Sequence, residues 1–313
     1  MKQAILTFGL AVLSSAAIAG QSIDKSLDAE SNGRVYIDNM RGNITIIGWD
    51  KNQVKVSGKL DDEAEGYEFE RQGRRVIFEV DVPRGKYPRH SKGSELTFYI
   101  PRNSKLFGEG VLVDFDISDV HGGSIVETVN GSIKAESLSE EIRLETINGH
   151  VTVENLNGQI EIQSINGGIE DRNSSGSLEI KTVNGPITST TDAPVIELES
   201  VNSVIELESK EVSDLRIQTA NARADITIDK LLPNADVSID SVSGRITLNL
   251  DADVSADFSL RNHAGGRIRN DLSDHEAVRP QYGPGRSLDM TLNDGSADVR
   301  ITSVSARIEL KAH

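Results

Sequence analysis

The chain contains no cysteine in 313 residues. That absence excludes disulfides, thiol catalysis, cysteine-based metal sites and a lipid-modified cysteine behind an export signal. Aromatic residues are scarce, at 4 % of the chain, and none falls between Asp116 and Asp257. A sugar ring would find no aromatic face to stack on along that stretch. Bases are outnumbered, with 33 Lys and Arg against 49 Asp and Glu, for a formal net charge of −16. Such a surface repels nucleic acid, which is set aside as a partner. Long apolar runs are also missing, save one near the start. Lys2, the apolar stretch Ile5 to Ile18 and the small residues around Ala17-Ile18-Ala19 predict a cleaved signal peptide over residues 1–19, its core too short to span a bilayer. The expected location is periplasmic or secreted, with no transmembrane segment in the mature chain. Loss of that segment removes one lysine, leaving 32 bases against 49 acids, or −17.

What the chain has in abundance is a repeat. Val129-Asn130-Gly131 returns as Ile147-Asn148-Gly149, Ile165-Asn166-Gly167, Val183-Asn184-Gly185 and Val201-Asn202-Ser203, then fades at Ala220-Asn221-Ala222. The interval from one asparagine to the next is 18 four times running and then 19. Each 18-residue unit divides into two near-copies of nine, with apolar residues at the third, fifth and eighth places: Ile142, Leu144 and Ile147, then Val151, Val153 and Leu156. The third-to-fifth spacing is that of a strand with one buried face, and the step to the eighth place requires a bend. Polar residues between them, such as Arg143, Glu145, Glu161 and Glu179, form the wet face.

A short unit at fixed spacing cannot bury its apolar side alone and must stack on its neighbours. The predicted fold is therefore all-β, a two-sided parallel β-solenoid of 18-residue rungs, each built of two nine-residue halves. An antiparallel meander is the alternative, since Asn-Gly between alternating runs is also a hairpin signal. A meander needs a tight turn after every strand, however, and here the strong Asn-Gly comes only after every second one. Asn-Gly is assigned to a corner, because both residues tolerate left-handed backbone. Rungs about 4.8 Å apart would stack Asn130, Asn148, Asn166, Asn184, Asn202 and Asn221 into a ladder of amide hydrogen bonds. Thr128, Thr146, Ser164, Thr182 and Ser200 form a second column beside it.

The strings VNGSIKAESL, INGHVTVENLNGQIEIQSINGG and LEIKTVNG, with GNITIIGWDKNQVKVSG at Gly42, LTFYIPRNSKL at Leu96 and NDGSADVRITSVSARIEL at Asn293, resemble the bacterial DUF4097 β-strand-repeat proteins. These are also called adhesin-like or autotransporter-adhesin-head-like domains. The resemblance covers most of the chain beyond the signal. It implies an exported β-solenoid of undefined activity, with no catalytic motif to carry over.

Around the repeat, residues 30–115 hold ten of the twelve aromatics that follow the signal and are expected to form an antiparallel, aromatic-cored β cap. Such a cap would cover strand edges that otherwise invite polymerisation. Repeats are expected over 116–261, a loop or hairpin insertion over 262–287 and closing rungs over 288–313. The six histidines show no metal-ligand spacing, and Asp114-Phe115-Asp116 and Asp251-Ala252-Asp253 lack the frame of a calcium loop. Neither a metal nor a cofactor is expected, and no catalytic residue is assigned. Two basic islands stand out in the acidic chain: Arg84, Lys86, Arg89 and Lys92, and later Arg267, Arg269, Arg279 and Arg286. Each is a candidate for binding an anionic glycan or lipid headgroup, set against the plainer reading as solvated loop. The expected function is a non-enzymatic binding, adhesin-like or structural module of the cell envelope, its partner an envelope protein, glycan or lipid. A polysaccharide-active β-helix enzyme and an envelope-stress sensor are the alternatives.

Overall fold

Alternating apolar and polar residues carry most of the described chain into strands. A computed structural model of the protein describes residues 21–82 and 92–313, and these contain no helix. The strands, in chain order, are β1 (Ser22–Asp28), β2 (Arg34–Trp49), β3 (Gln53–Lys59), β4 (Gly66–Gln72), β5 (Arg75–Asp81), β6 (Ser94–Pro101) and β7 (Lys105–Ser118). The repeat supplies β8 (Ser124–Thr128), β9 (Ile133–Glu136), β10 (Ser139–Thr146), β11 (Val151–Glu154), β12 (Asn157–Ser164), β13 (Ile169–Arg172), β14 (Ser175–Thr182), β15 (Ile187–Thr191) and β16 (Val195–Ser200). Then come the long, corner-bent β17 (Val204–Leu250), β18 (Ala256–Asn262), β19 (Arg267–Asn270), β20 (Arg286–Leu292), β21 (Asp298–Ser303) and β22 (Arg307–Ala312).

Successive units pair in parallel at the repeat offset. Ile142 lies opposite Ile160, Ile160 opposite Leu178 and Leu178 opposite Ile196. This is the two-sided parallel solenoid, not the meander. The first wall runs through β8, β10, β12, β14 and β16; the second through β9, β11, β13 and β15. Between them lies one dry layer of aliphatic side chains, with Leu144, Ile162, Ile180 and Leu198 at 0 % exposure. Burying each such side chain is worth roughly 1.5–3 kcal/mol, and that packing holds the two thin sheets together.

The two corners of each rung differ, and not as expected. Left-handed backbone recurs once per unit after the second wall, at Asp119, Ser137, Asn155 and Asn173. The Asn-Gly corner after the first wall has ordinary φ angles. Its glycines are required by contact instead: a Cβ on Gly149 would stand 1.7 Å from the Gly131 carbonyl oxygen, and one on Gly167 1.6 Å from that of Gly149. At that corner the Thr146 hydroxyl donates to the Gly131 carbonyl at 2.9 Å and accepts from the Gly149 N–H at 3.1 Å. Ser164 repeats the arrangement. The asparagines lie outside it and link side chain to side chain, Asn148 to Asn130 at 2.6 Å, Asn166 to Asn148 at 2.7 Å, Asn184 to Asn166 at 2.9 Å and Asn202 to Asn184 at 3.3 Å. Asn221 instead accepts a hydrogen bond from the Ser243 hydroxyl at 2.6 Å. Where Ser203 replaces glycine the device stops, and the Ser200 hydroxyl is buried without a partner.

Antiparallel pairs close the N-terminal end: β4 on β5 in the first wall, β1 on β3 and β3 on β6 in the second. This cap is narrower than residues 30–115, because β2 and β7 are themselves full parallel rungs. Their order hides this in the sequence. Rung β2 sits between β5/β6 and β7, so Arg34 lies opposite both Arg75 and Lys105, and no short period results. The other end mirrors it. Rung β21/β22 lies between the last part of β17 and the rung β18/β19, and β20 closes the first wall antiparallel to β18. The segment expected as a loop or hairpin over 262–287 thus contains a rung strand, β19, whose single buried apolar residue, Ile268, left no alternation to read. Residues 288–313 include β20, β21 and β22, of which β20 is the antiparallel edge.

Candidate functional site

The eighth place of the nine-residue half has two fates. After the second wall it turns inward, and Leu138 and Leu156 are fully buried. After the first wall it turns outward. Ile147, Ile165, Val183 and Val201 are 40, 45, 38 and 36 % exposed, and the backbone stacks each on the last, since the N–H of the next residue bonds to the carbonyl of the ridge residue one rung before. Val242 and Val304 extend the ridge at 51 and 45 % exposure. The row is interrupted only by the smaller Ala220, between Val201 and Val242, and so long a row of exposed aliphatic side chains is unusual on a lone protein surface.

Beside the ridge, two residues earlier on the first wall, stands a column of acids. Glu79 lies opposite Asp38, Asp38 opposite Glu109, Glu109 opposite Glu127 and Glu127 opposite Glu145. The column then passes to Gln163 and Lys181. Carboxylates on neighbouring strands stand about 5 Å apart and repel. Burial, then Glu109 and Glu79, holds the Asp38 carboxyl above its ordinary value. Burial, then Glu127, does the same for Glu145 against the opposing pull of Arg143, 3.8 Å away. Glu109 and Glu127 enter no ion pair among the described residues.

Ridge and column enclose a groove of about 310 Å³ bordered by Glu109, Glu127, Glu145 and Gln163 on one side and Val129, Ile147 and Ile165 on the other. Its floor is the hydroxyl row Thr128, Thr146 and Ser164, already bonded to the backbone. Toward the cap, Tyr36 and Phe107 stack at 4.5 Å, with Arg75 and Lys105 over their outer faces. One face of each ring is thus taken up by the other ring.

The basic islands fare differently. Arg84, Lys86 and Arg89 lie outside the described residues, and Lys92 is exposed at the edge of that segment. Arg267 and Arg269 project from β19 in the second wall, with Arg269 paired to Asp271 at 3.0 Å. Arg286 opens β20 in the first wall, and exposed Arg279 adjoins the bridge from Val278 to Ser287. Three of the late arginines are thus divided between the walls, and Arg279 lies in neither. Among the described residues no group of three His, Asp or Glu side chains is placed to hold a metal ion, and no helix is long and apolar enough to cross a membrane.

One buried acid escapes the pattern. Asp171 occupies an inward fifth place opposite Val153 and Ser189 and is 1 % exposed. Ser189 donates to it at 2.7 Å and Ser174 also donates. Burial still raises its carboxyl above the ordinary value.

A family model described as Toastrack DUF4097 matches residues 33–266. The chain belongs to the Toastrack DUF4097 family. The Toastrack match opens at rung β2 and ends between β18 and β19, so the groove lies wholly within it and the intercalated rung β21/β22 lies outside. Among solved structures this Toastrack chain is similar to a candidate cell adhesion protein from Clostridium sporogenes ATCC 15579, with 13 % identity over 94 % of this chain and 100 % of that one and a TM-score of 0.24. It is similar also to a candidate adhesin from Bacteroides fragilis NCTC 9343, with 13 % identity over 93 % and 97 % and a TM-score of 0.38. No curated protein matches the chain in sequence.

The ridge and the acid column are both visible as residue types in the sequence, yet the nine-residue pattern marks neither as a site. It groups the eighth-place residues with the structural apolar set, and the acids with a solvated wall. The signal that separates them is the difference between the two halves: leucine at one eighth place, β-branched residues followed by Asn-Gly at the other.

Proposed function

We propose that this protein is a non-enzymatic, exported binding module of the bacterial cell envelope, adhesin-like in that a stiff rod presents a long recognition surface. The single observation that carries this reading is the aliphatic ridge, exposed along the rod on a scaffold whose own core is complete without it. Ile147 and Ile165 add nothing to the dry layer, so their apolar character is explained by something outside the chain. The predicted signal peptide supports the exported location. The groove beside the ridge is the contact site, and the parallel walls keep it straight.

The test is a pull-down from envelope extract with the parent chain and with the double variant Ile147→Ser, Ile165→Ser. These side chains are exposed, so the variant keeps its fold, to be checked by circular dichroism. The expected result is an envelope component retained by the parent and lost by the variant. Identical sets of retained components from both proteins would overturn the assignment.

A further inference from the structure

The acid column and the ridge run side by side, and together they specify a partner more narrowly than either does. We infer that the groove takes a basic amphipathic helix of a partner protein, laid along the solenoid axis with its apolar stripe on the ridge and its lysines or arginines on Glu109, Glu127 and Glu145. This rests on the proposed role of the groove as a contact site and names the class of partner.

Three features carry the inference. The first is charge. Glu109 and Glu127 face Glu145 in register with no ion pair of their own among the described residues. The repulsion that this stacking stores is relieved when cations come between the carboxylates. The second is the adjacency of the apolar stripe. Val129, Ile147 and Ile165 stand two residues beyond Glu127, Glu145 and Gln163 and border the same groove. A bare metal ion or a small amine would use the acids and leave the ridge in water.

The third feature is pitch. The groove crosses the strands, so its chemistry repeats at the rung spacing of about 4.8 Å. An α-helix advances about 5.4 Å per turn, so side chains at i, i+3 or i+4, and i+7 meet successive rungs with a drift of about 0.6 Å each. An extended peptide presents one face only every ~6.6 Å and falls out of step by about 2 Å per rung. Strand addition would need a free sheet edge, which this groove does not have, because the strands it crosses are paired on both sides. Docking a helix by its apolar stripe with flanking charge is a recurrent mode of recognition. The strongest match covers β7, β8, β10 and β12. Beyond them Lys181 replaces the acid and pairs with Glu179, which sets the register and polarity of the occupant.

The test uses the full chain and a synthetic peptide of about five helical turns, with leucines along one helical stripe and lysines along the adjacent one, against a scrambled peptide of equal composition. Binding is followed by isothermal titration at two salt concentrations, and peptide helicity by circular dichroism. The expected result is binding of the ordered peptide, at least tenfold tighter than the scrambled one, with helicity gained on binding. Ile147→Ser, Ile165→Ser and, separately, Glu127→Gln, Glu145→Gln should each weaken it at least tenfold, and only the second pair should flatten the salt dependence. Equal affinity for the scrambled peptide, or binding indifferent to the ridge variant, would show mere charge attraction and overturn the inference. If the peptide fails while the envelope pull-down still depends on Ile147 and Ile165, the contact role of the groove stands and the helical partner is wrong.

Discussion

Gly167→Ala is the sharpest probe of how the rungs are held in register. Gly167 lies at the corner after the first wall, where the added methyl would meet the Gly149 carbonyl oxygen at 1.6 Å and its carbon at 2.4 Å. Ordinary contact begins near 3.4 Å, so the two rungs would have to part there by about 1.8 Å. Three hydrogen bonds span or brace that contact: Asn166 N–H to the Ile147 carbonyl at 2.9 Å, the Ser164 hydroxyl to the Gly149 carbonyl at 3.2 Å, and Gly167 N–H to Ser164 at 2.9 Å. The first two run between rungs and fail at such a separation, while the third lies within one rung and only loses what it braced. At roughly 0.5–1.5 kcal/mol for each bond lost, the cost is about 1–3 kcal/mol. Gly66 provides the control. It lies in β4 with open space where a Cβ would go and no left-handed φ, so Gly66→Ala should be neutral or stabilising by up to about 1 kcal/mol. Urea denaturation followed by circular dichroism reads both. If Gly167→Ala stays within about 0.5 kcal/mol of the parent, the range of an inconsequential surface change, the close rung contact is not what glycine serves, and the corner argument fails.

Two further outcomes test other parts of the structure. Leu156→Ala, at a fully buried corner, should cost about 2–5 kcal/mol, whereas Ile165→Ala on the exposed ridge should cost less than about 1 kcal/mol, both by the same denaturation; equal losses would mean that the two corners do not differ as described. Asp171 has a raised carboxyl pKa, so the folded chain holds that proton to higher pH than the unfolded chain does. Its contribution to stability therefore falls as pH rises from the ordinary aspartate value of about 3.9 through the folded value, and stays low above it. The stability of Asp171→Asn relative to the parent should climb across that window and then level off; a difference constant from pH 3 to 7 would refute the assignment.

How much of this is legible in the sequence follows from periodicity. The rungs from β8 to β16 keep a constant interval, so the residue types themselves disclose which strands are neighbours: Ile142, Ile160, Leu178 and Ile196 line up on paper as they do in space. At the ends this fails, since the partners of Arg34 are Arg75 and Lys105, at separations no repeat announces. The aromatic alternation of Tyr36, Phe98 and Phe107 shows strand but not strand direction, so parallel rungs read as part of an antiparallel cap. Glycine at the corner is expected for its backbone freedom, yet what it provides is the missing methyl. The site is harder still. An exposed isoleucine and a buried leucine look alike in a nine-residue alignment, and only the handedness of the two corners decides which one faces water.

The placement of β2 and of β21/β22 one step in from the outermost rungs bears on how long such a rod can grow. Each behaves as a bolt shot through its end of the stack, hydrogen-bonded on both sides by segments from elsewhere in the chain. Duplicating or deleting a unit at either extremity would unseat a bolt. Copying one between β8 and β16 would disturb neither and would lengthen the rod by about 4.8 Å. Reach is therefore adjustable only from the middle, with the terminal fastenings inherited whole.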